Sequence, residues 1–181
     1  NLLKEVYLNA SKSSSGSGQT ADTAVNNFQE ALNLVSNYGS IYVSGEVDIP
    51  DDVHMPSKLI FIKQQVDGDE AKLKFEKKLY LNNELYIKDV DIEFSSMDKD
   101  CIFTNEYSLE LTNSEVIGKP NIFLGSEDKD LQEDSVAALR ILNDNPSNNS
   151  IGNITLGGKD NHTVEDAAVT LKGINVEGII D

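Results

Sequence analysis

Three tyrosines and four aspartates are the side chains whose types and spacing bear most directly on chemistry. Tyr80, Tyr86 and Tyr107 lie in or beside short apolar stretches and alternate with Leu or Ile, so their rings are expected to stand in an outward ladder on one face. Such a ladder could stack against the apolar faces of a saccharide, although core filling is the plainer use of any one ring. Asp98 and Asp100 in MDKD, with Asp128 and Asp130 in SEDKD, bring together the carboxylates that a hard cation asks of a turn. Calcium is thus the one cofactor these residues offer, and solvated surface turns are the plainer reading of the same aspartates. No EF-hand spacing accompanies them.

Other chemistry is harder to place. A glycosidase needs just two carboxylates roughly 5 to 10 Å apart, but with 31 acidic residues any pair picked from the sequence is arbitrary. His54 in DDVHMP and His162 in KDNHTV sit in separate turn-like segments and do not read as a pair. The lone cysteine, Cys101, excludes an internal disulfide and is expected to be a core thiol at the start of a strand. No catalytic residue is assigned.

Charge narrows the partners. The net charge of −16 excludes nucleic acid as an expected partner, because such binding rests on Lys and Arg neutralising phosphates. An anionic membrane surface is disfavoured for the same reason, and no run approaches the ~20 apolar residues that would span a bilayer. Of the 15 basic residues only Arg140 is an arginine, so bidentate recognition of carboxylates is nearly absent.

The elements that must position these residues change character along the chain. Val6 to Leu8 reads as a strand, and SKSSSGSGQ at 11–19 reads as a polar loop with nothing to bury. Ala21, Ala24, Val25, Phe28, Ala31, Leu32 and Val35 then recur at helical spacing, which predicts a helix capped by Thr20 or Asp22 and stopped by Gly39. Beyond Gly39 the period falls to two and short strands rich in Ile, Leu, Val, Phe and Tyr follow one another. LYIKDVDIEF from Leu85, LELTNSEVIG from Leu109 and VTLKGINVEG from Val169 share one pattern: strand, a bend at Asp89, Asn113 or Gly173, strand. Those residue types tolerate the positive φ that a one-residue bend requires. Stacked coils of this kind bury an apolar ladder that no single coil could bury, so a solenoid is expected over a sandwich. VAALRIL at 136–142 is expected to rejoin the wall after an acidic loop, echoed by VEDAAVTLKG.

The opening VYLNAS, the Ser/Gly loop, the TADTAVNNFQEALNLV helix and GSIYVSGEVDIP resemble the first coil of right-handed parallel β-helices of the pectin-lyase-like class. Ala24, Phe28, Ala31, Leu32, Gly39, Ile41, Tyr42 and Val43 carry the resemblance, which is close over residues 6–49 and looser to 181. It implies an all-β, right-handed parallel β-helix with one N-terminal helix laid across the open end as a cap. The expected layout is a single domain over 1–181, with strand, loop and cap in 1–45 and coils in 46–181 around a polar insertion at about 126–150. The resemblance also implies a secreted or cell-wall-attached bacterial surface protein, and the absence of an initiator Met suggests a piece of a longer chain with further domains of its own.

Members of that class include lyases, polygalacturonases and non-catalytic adhesins. Asp51-Asp52 beside a proline and Gly158 to His162 do not match the polygalacturonase stretches, and Arg140 has no lysine beside it as a lyase base would. The expected function is therefore a non-catalytic extracellular recognition or adhesion module that binds a polysaccharide, another glycan or a host surface protein. Two alternatives stand beside it: the first part of a β-helix glycosidase or polysaccharide lyase whose site lies in other coils, and a structural stalk.

Overall fold

The computed structural model describes residues 1–128, 137–145, 150–159 and 167–181. The chain opens with β1 (Leu3–Leu8), a loop, and the helix α1 (Phe28–Leu34). It then winds through coils of three strands: β2 (Val35–Val43), β3 (Glu46–Ile49), β4 (Val53–His54); β5 (Ile60–Gln64), β6 (Lys72–Phe75), β7 (Leu79–Tyr80); β8 (Leu85–Lys88), β9 (Asp91–Phe94), β10 (Asp100–Phe103). Further coils hold β11 (Leu109–Thr112), β12 (Val116–Ile117), β13 (Asn121–Phe123); β14 (Ala138–Leu142), β15 (Ser150–Ile151), β16 (Ile154–Thr155); and β17 (Ala168–Lys172) with β18 (Asn175–Val176).

Like strands of successive coils pair, always in parallel. They form a seven-stranded wall β1-β2-β5-β8-β11-β14-β17, a five-stranded wall β4-β7-β10-β13-β16, and a third wall β3-β6-β9-β12 that a β15-β18 pair follows. The chain is a parallel β-helix. Period-2 alternation sends one residue type inward at each level, so the pairing register stacks like on like. One column runs Val6, Ile41, Ile62, Ile87, Leu111, Ile141, Leu171, another Val47, Leu73, Ile92, Val116, and a third Val53, Leu79, Ile102, Ile122, Ile154. Nearly all of these are fully buried, and each such side chain contributes about 1.5–3 kcal/mol by leaving water. In the last coil Leu171 and Val176 are only half-buried, and β17 pairs along one edge alone.

The bends are those the repeat predicted. Asp89, Asn113 and Gly173 have φ of 58°, 49° and 68°, and the three repeat copies fall in register as Leu85, Leu109 and Val169, with Leu139 between the last two. Val169 therefore lies two coils beyond Leu109, each longer than the coil from Leu85. Ala138–Leu142 rejoins the wall as β14, as expected from VAALRIL. Buried Asn143 secures a bend: its side chain accepts from the Ser114 N–H at 3.0 Å and donates to the Ser114 carbonyl at 3.1 Å.

The N-terminal end departs from expectation. The helix is seven residues, not the span from Ala21 to Val35, and its N-cap is Asn27, whose side chain accepts from the Glu30 N–H at 2.9 Å. Gly39 is not its stop; both Val35 and Gly39 belong to β2. The reason is that the loop must pair with β1. Tyr7 donates to Gly18 O, Val25 donates to Tyr7 O and Asn9 donates to Val25 O, while Gly18 donates to Thr23 O and Gly16 to Ala24 O, so residues 16–25 fold back on themselves in a turn that is tied to the edge strand at Gly18 and Val25. With no basic residue in its last turn, α1 is closed by Lys58 of the next coil, whose Nζ donates to Leu32 O at 3.1 Å and Val35 O at 2.7 Å. Phe28, Ala31 and Leu32 are the buried face. Phe28→Asp should therefore unseat the cap, lower the melting temperature and expose the end coil to edge-to-edge association. An unchanged melting temperature with monodisperse scattering would contradict this.

Candidate functional site

The three outer faces differ in what they leave available. On β3-β6-β9 the charges answer one another: Lys72 lies 3.9 Å from Glu46 and 3.6 Å from Glu93, and Lys74 lies 3.7 Å from both Glu46 and Asp48. Each pair is half-exposed and weak, but both lysines of β6 are met by carboxylates.

The five-stranded wall carries a stacked row, His54, Tyr80, Phe103 and Phe123, with centroid spacings of 4.6, 5.4 and 5.0 Å and planes within 16°. Its inner rings are covered, while His54 at its end is exposed. Phe103 is fully buried, the Lys78 Nζ lies 5.7 Å from its centroid, and Glu127 reaches back across the row to accept from Lys78 and, at 2.6 Å, from the Tyr80 hydroxyl. Lys78 also approaches Asp98 at 3.5 Å. Burial, then the bond to Glu127, pushes the Tyr80 phenol well up. Burial acts to raise the Glu127 carboxyl too, yet the bonds from Lys78 and Tyr80 outweigh it and hold that group below the usual carboxylate range.

A carboxyl depressed in the folded state contributes stability that is present above its ordinary pKa and is lost as pH falls through the lowered one. Glu127→Gln should accordingly flatten the acid limb of stability between about pH 5 and 3. Urea unfolding across that range checks it, and parallel curves for the two proteins would contradict it.

A depression of about 340 Å³ at the bend between two walls is lined by Asp89, Asn113, Ser114, Glu115, Asn143 and Asp144. Two of its amides are tied to backbone: beside the Asn143 bonds, Asn113 accepts from the Asp144 N–H at 2.9 Å.

The seven-stranded wall is different. Its outward residues form two columns across the strands: Ser40, Phe61, Tyr86, Glu110, Arg140, Thr170, and Tyr7, Tyr42, Lys63, Lys88, Thr112, Leu142, Lys172. Tyr7 stacks on Tyr42 at 5.3 Å and Phe61 on Tyr86 at 5.0 Å, each ring half-buried, and the Lys63 Nζ lies 5.3 Å from the Phe61 centroid. Tyr86 donates to Glu84 at 2.8 Å, which raises its phenol pKa, with burial adding to the effect. Each pair borders a depression: about 390 Å³ beside Tyr7, Tyr42, Gln19 and Gln65, and about 230 Å³ beside Phe61, Lys63, Tyr86 and Lys88. Aromatic floors with polar rims on a rigid sheet fit an extended ligand with apolar faces and hydroxyl edges.

Comparison with family models, curated proteins and solved structures finds no match for the chain. The residues alone therefore carry the functional reading.

The three tyrosines picked from sequence do not share one ladder. Tyr80 is on the five-stranded wall and Tyr86 on the seven-stranded wall, because the chain turns a corner between β7 and β8. Tyr107 sits in the turn before β11, partly buried against the core. Tyr7, Tyr42 and Phe61, which sequence reasoning missed, are the residues that join Tyr86.

The aspartates are drawn to lysines. Asp98 meets Lys78, and Asp100 meets Lys159 at 3.1 Å while accepting from Asn121 at 2.9 Å. The Asp128 N–H donates to Ser126 Oγ at 3.0 Å, and Asp130 lies outside the described residues. Among the described residues, no three His, Cys, Asp or Glu side chains are arranged to hold a metal ion. Cys101 is buried on β10, where burial pushes its thiol up to about 11, as a core thiol rather than a nucleophile. Among the described residues no helix is long and apolar enough to cross a membrane.

Proposed function

We propose that the chain is a non-catalytic glycan-recognition module that presents the outer face of its seven-stranded wall to a polysaccharide. One observation carries this reading. Among the described residues, the outer face of the seven-stranded wall carries two stacked, half-buried aromatic pairs, Tyr7 with Tyr42 and Phe61 with Tyr86, and each pair borders a depression. A solenoid suits the task, since adjacent strands repeat about every 4.8 Å and a polymer running across β1, β2, β5 and β8 meets an aromatic ring on each of these four strands. The extracellular, wall-attached setting and the pectin-lyase-like affinity rest on the resemblance of residues 6–49.

The test is a glycan-array screen with and without calcium, followed by Tyr86→Ala on any ligand found. Selective binding that survives chelation and weakens about tenfold in the variant is expected, the loss of one stacked ring costing about 1 kcal/mol or more. A blank array with the fold intact by circular dichroism, or binding indifferent to Tyr86, would overturn the reading. Capture of a host surface protein by the same face would replace the ligand class.

A further inference from the structure

We infer that the cleft beside Tyr7 and Tyr42 binds a small, free organic ammonium compound, whose cation rests against the two rings and is answered by Glu5. This ligand is of a different class from the polymer proposed above. The cleft would take it whether or not a glycan lies over the pair of Phe61 and Tyr86.

The chain's own lysines show where an ammonium settles on its aromatic stacks. In the row from His54 to Phe123 the Lys78 Nζ lies 5.7 Å from the Phe103 centroid, and beside Tyr86 the Lys63 Nζ lies 5.3 Å from the Phe61 centroid. At those distances a ring quadrupole attracts a cation. Tyr7 and Tyr42, stacked at 5.3 Å, have no lysine against them among the described residues and have a carboxylate beside them instead. Lys63 is directly opposite Tyr42 on β5, but its ammonium is committed to Phe61 and does not line the cleft.

Glu5 supplies that carboxylate. It precedes Tyr7 by two positions on β1, which places both on the same face of the wall. Its side chain is exposed and has no ion-pair or hydrogen-bond partner among the described residues. It is the one charged residue that lines this cleft, whereas Lys63, Lys88 and Glu110 together line the depression beside Phe61. Asp22 and Asp67 directly follow the lining residues Ala21 and Val66 in sequence. The net charge of −16 also draws cations toward the surface as a whole.

The cleft is formed by hydrogen-bonded backbone. The Tyr7 N–H donates to Gly18 O at 2.8 Å and the Thr23 N–H to Thr20 O at 3.1 Å, which sets the loop that contributes Gln19, Thr20 and Ala21. The Gln65 N–H donates to Val43 O at 2.8 Å and fixes the turn that contributes Gln65 and Val66. At about 390 Å³ the space is in the size range of small-molecule sites. A trimethylammonium head suits it, because methyl groups pack on the rings while the charge is met by them and by Glu5.

The experiment titrates the chain with choline and with 3,3-dimethyl-1-butanol, which has the same shape with carbon in place of the charged nitrogen, followed by nuclear magnetic resonance. Choline should bind about tenfold tighter than its neutral isostere, shift the Tyr7 and Tyr42 signals, and weaken as salt is added. Glu5→Gln should weaken choline about threefold and leave the isostere unchanged. Glu5→Lys, which sets an ammonium of the chain's own beside the rings, should abolish the preference, with circular dichroism showing the fold intact in both variants. Equal binding of the two compounds, a preference that survives Glu5→Lys, or shifts centred away from Tyr7 and Tyr42 would overturn the inference. Sedimentation of the protein with phosphatidylcholine vesicles would give the cleft to a lipid headgroup and overturn the assignment to a free compound. The glycan reading is tested separately, by the array and Tyr86→Ala, and stands or falls on those.

Discussion

Phe75→Ala is expected to lower the free energy of unfolding by about 3–5 kcal/mol, the range for truncating a buried Phe in a core that cannot close around the gap. Phe75 is 2% exposed and lies on β6 between two other rings. Phe94 of the next coil stacks on it at 4.9 Å with planes 10° apart, and Phe28 of the cap meets it edge-on at 6.2 Å. Removing the middle ring leaves Phe94 without a partner and takes the floor from under α1, so the coil core and the N-terminal closure weaken together. A smaller ring-free side chain cannot recover either contact, because the strands on both sides are fixed by their register. Urea unfolding of the two proteins measures the loss. A change below about 1 kcal/mol would mean that the cap settles into the space and that the three rings are not a unit.

Gly118→Ala should cost more than about 3 kcal/mol or prevent folding. Gly118 forms the corner between β12 and β13 with φ of 98°, and Lys119 follows it at 56°. The conformation is one that side-chain-bearing residues rarely adopt. Space forbids a side chain as well: a Cβ here would lie far inside van der Waals contact distance of the Phe94 carbonyl oxygen one coil away. That oxygen belongs to backbone, so it cannot swing aside as a flexible side chain would. The expected result is a variant recovered mainly in insoluble form or with a melting transition many degrees lower. A variant as stable as the wild type would show that coils can shift locally at this corner.

The solenoid was legible because its signal is repeated. Asp89, Asn113 and Gly173 each announce a left-handed bend, and the alternating strands around Leu85, Leu109 and Val169 align without knowledge of the intervening loops. What could not be read was register across coils of unequal length. Tyr7, Tyr42, Phe61 and Tyr86 belong to different coils, and only the pairing of β1, β2, β5 and β8 reveals that they share a face. Tyr80 and Tyr86 look alike in sequence, yet a corner separates them.

The helix was overextended for a related reason. Ala21 to Val25 keeps helical spacing, but tertiary hydrogen bonds from Tyr7 and Asn9 claim its backbone for the edge of the first coil. Glu127 was hidden too, since nothing in SEDKD signals that one carboxylate will cross to Lys78 and Tyr80, more than forty positions earlier.

The measurement that decides most directly whether the seven-stranded wall is the recognition face is a map of a bound polysaccharide on the protein, by nuclear magnetic resonance titration with a ligand selected on the array. Perturbations should concentrate on β1, β2, β5 and β8, with Tyr7, Tyr42, Phe61 and Tyr86 moving most and Phe103 and Phe123 unmoved. Perturbations centred instead on the His54–Phe123 row, or on the bend around Asn113, would contradict the assignment of this face.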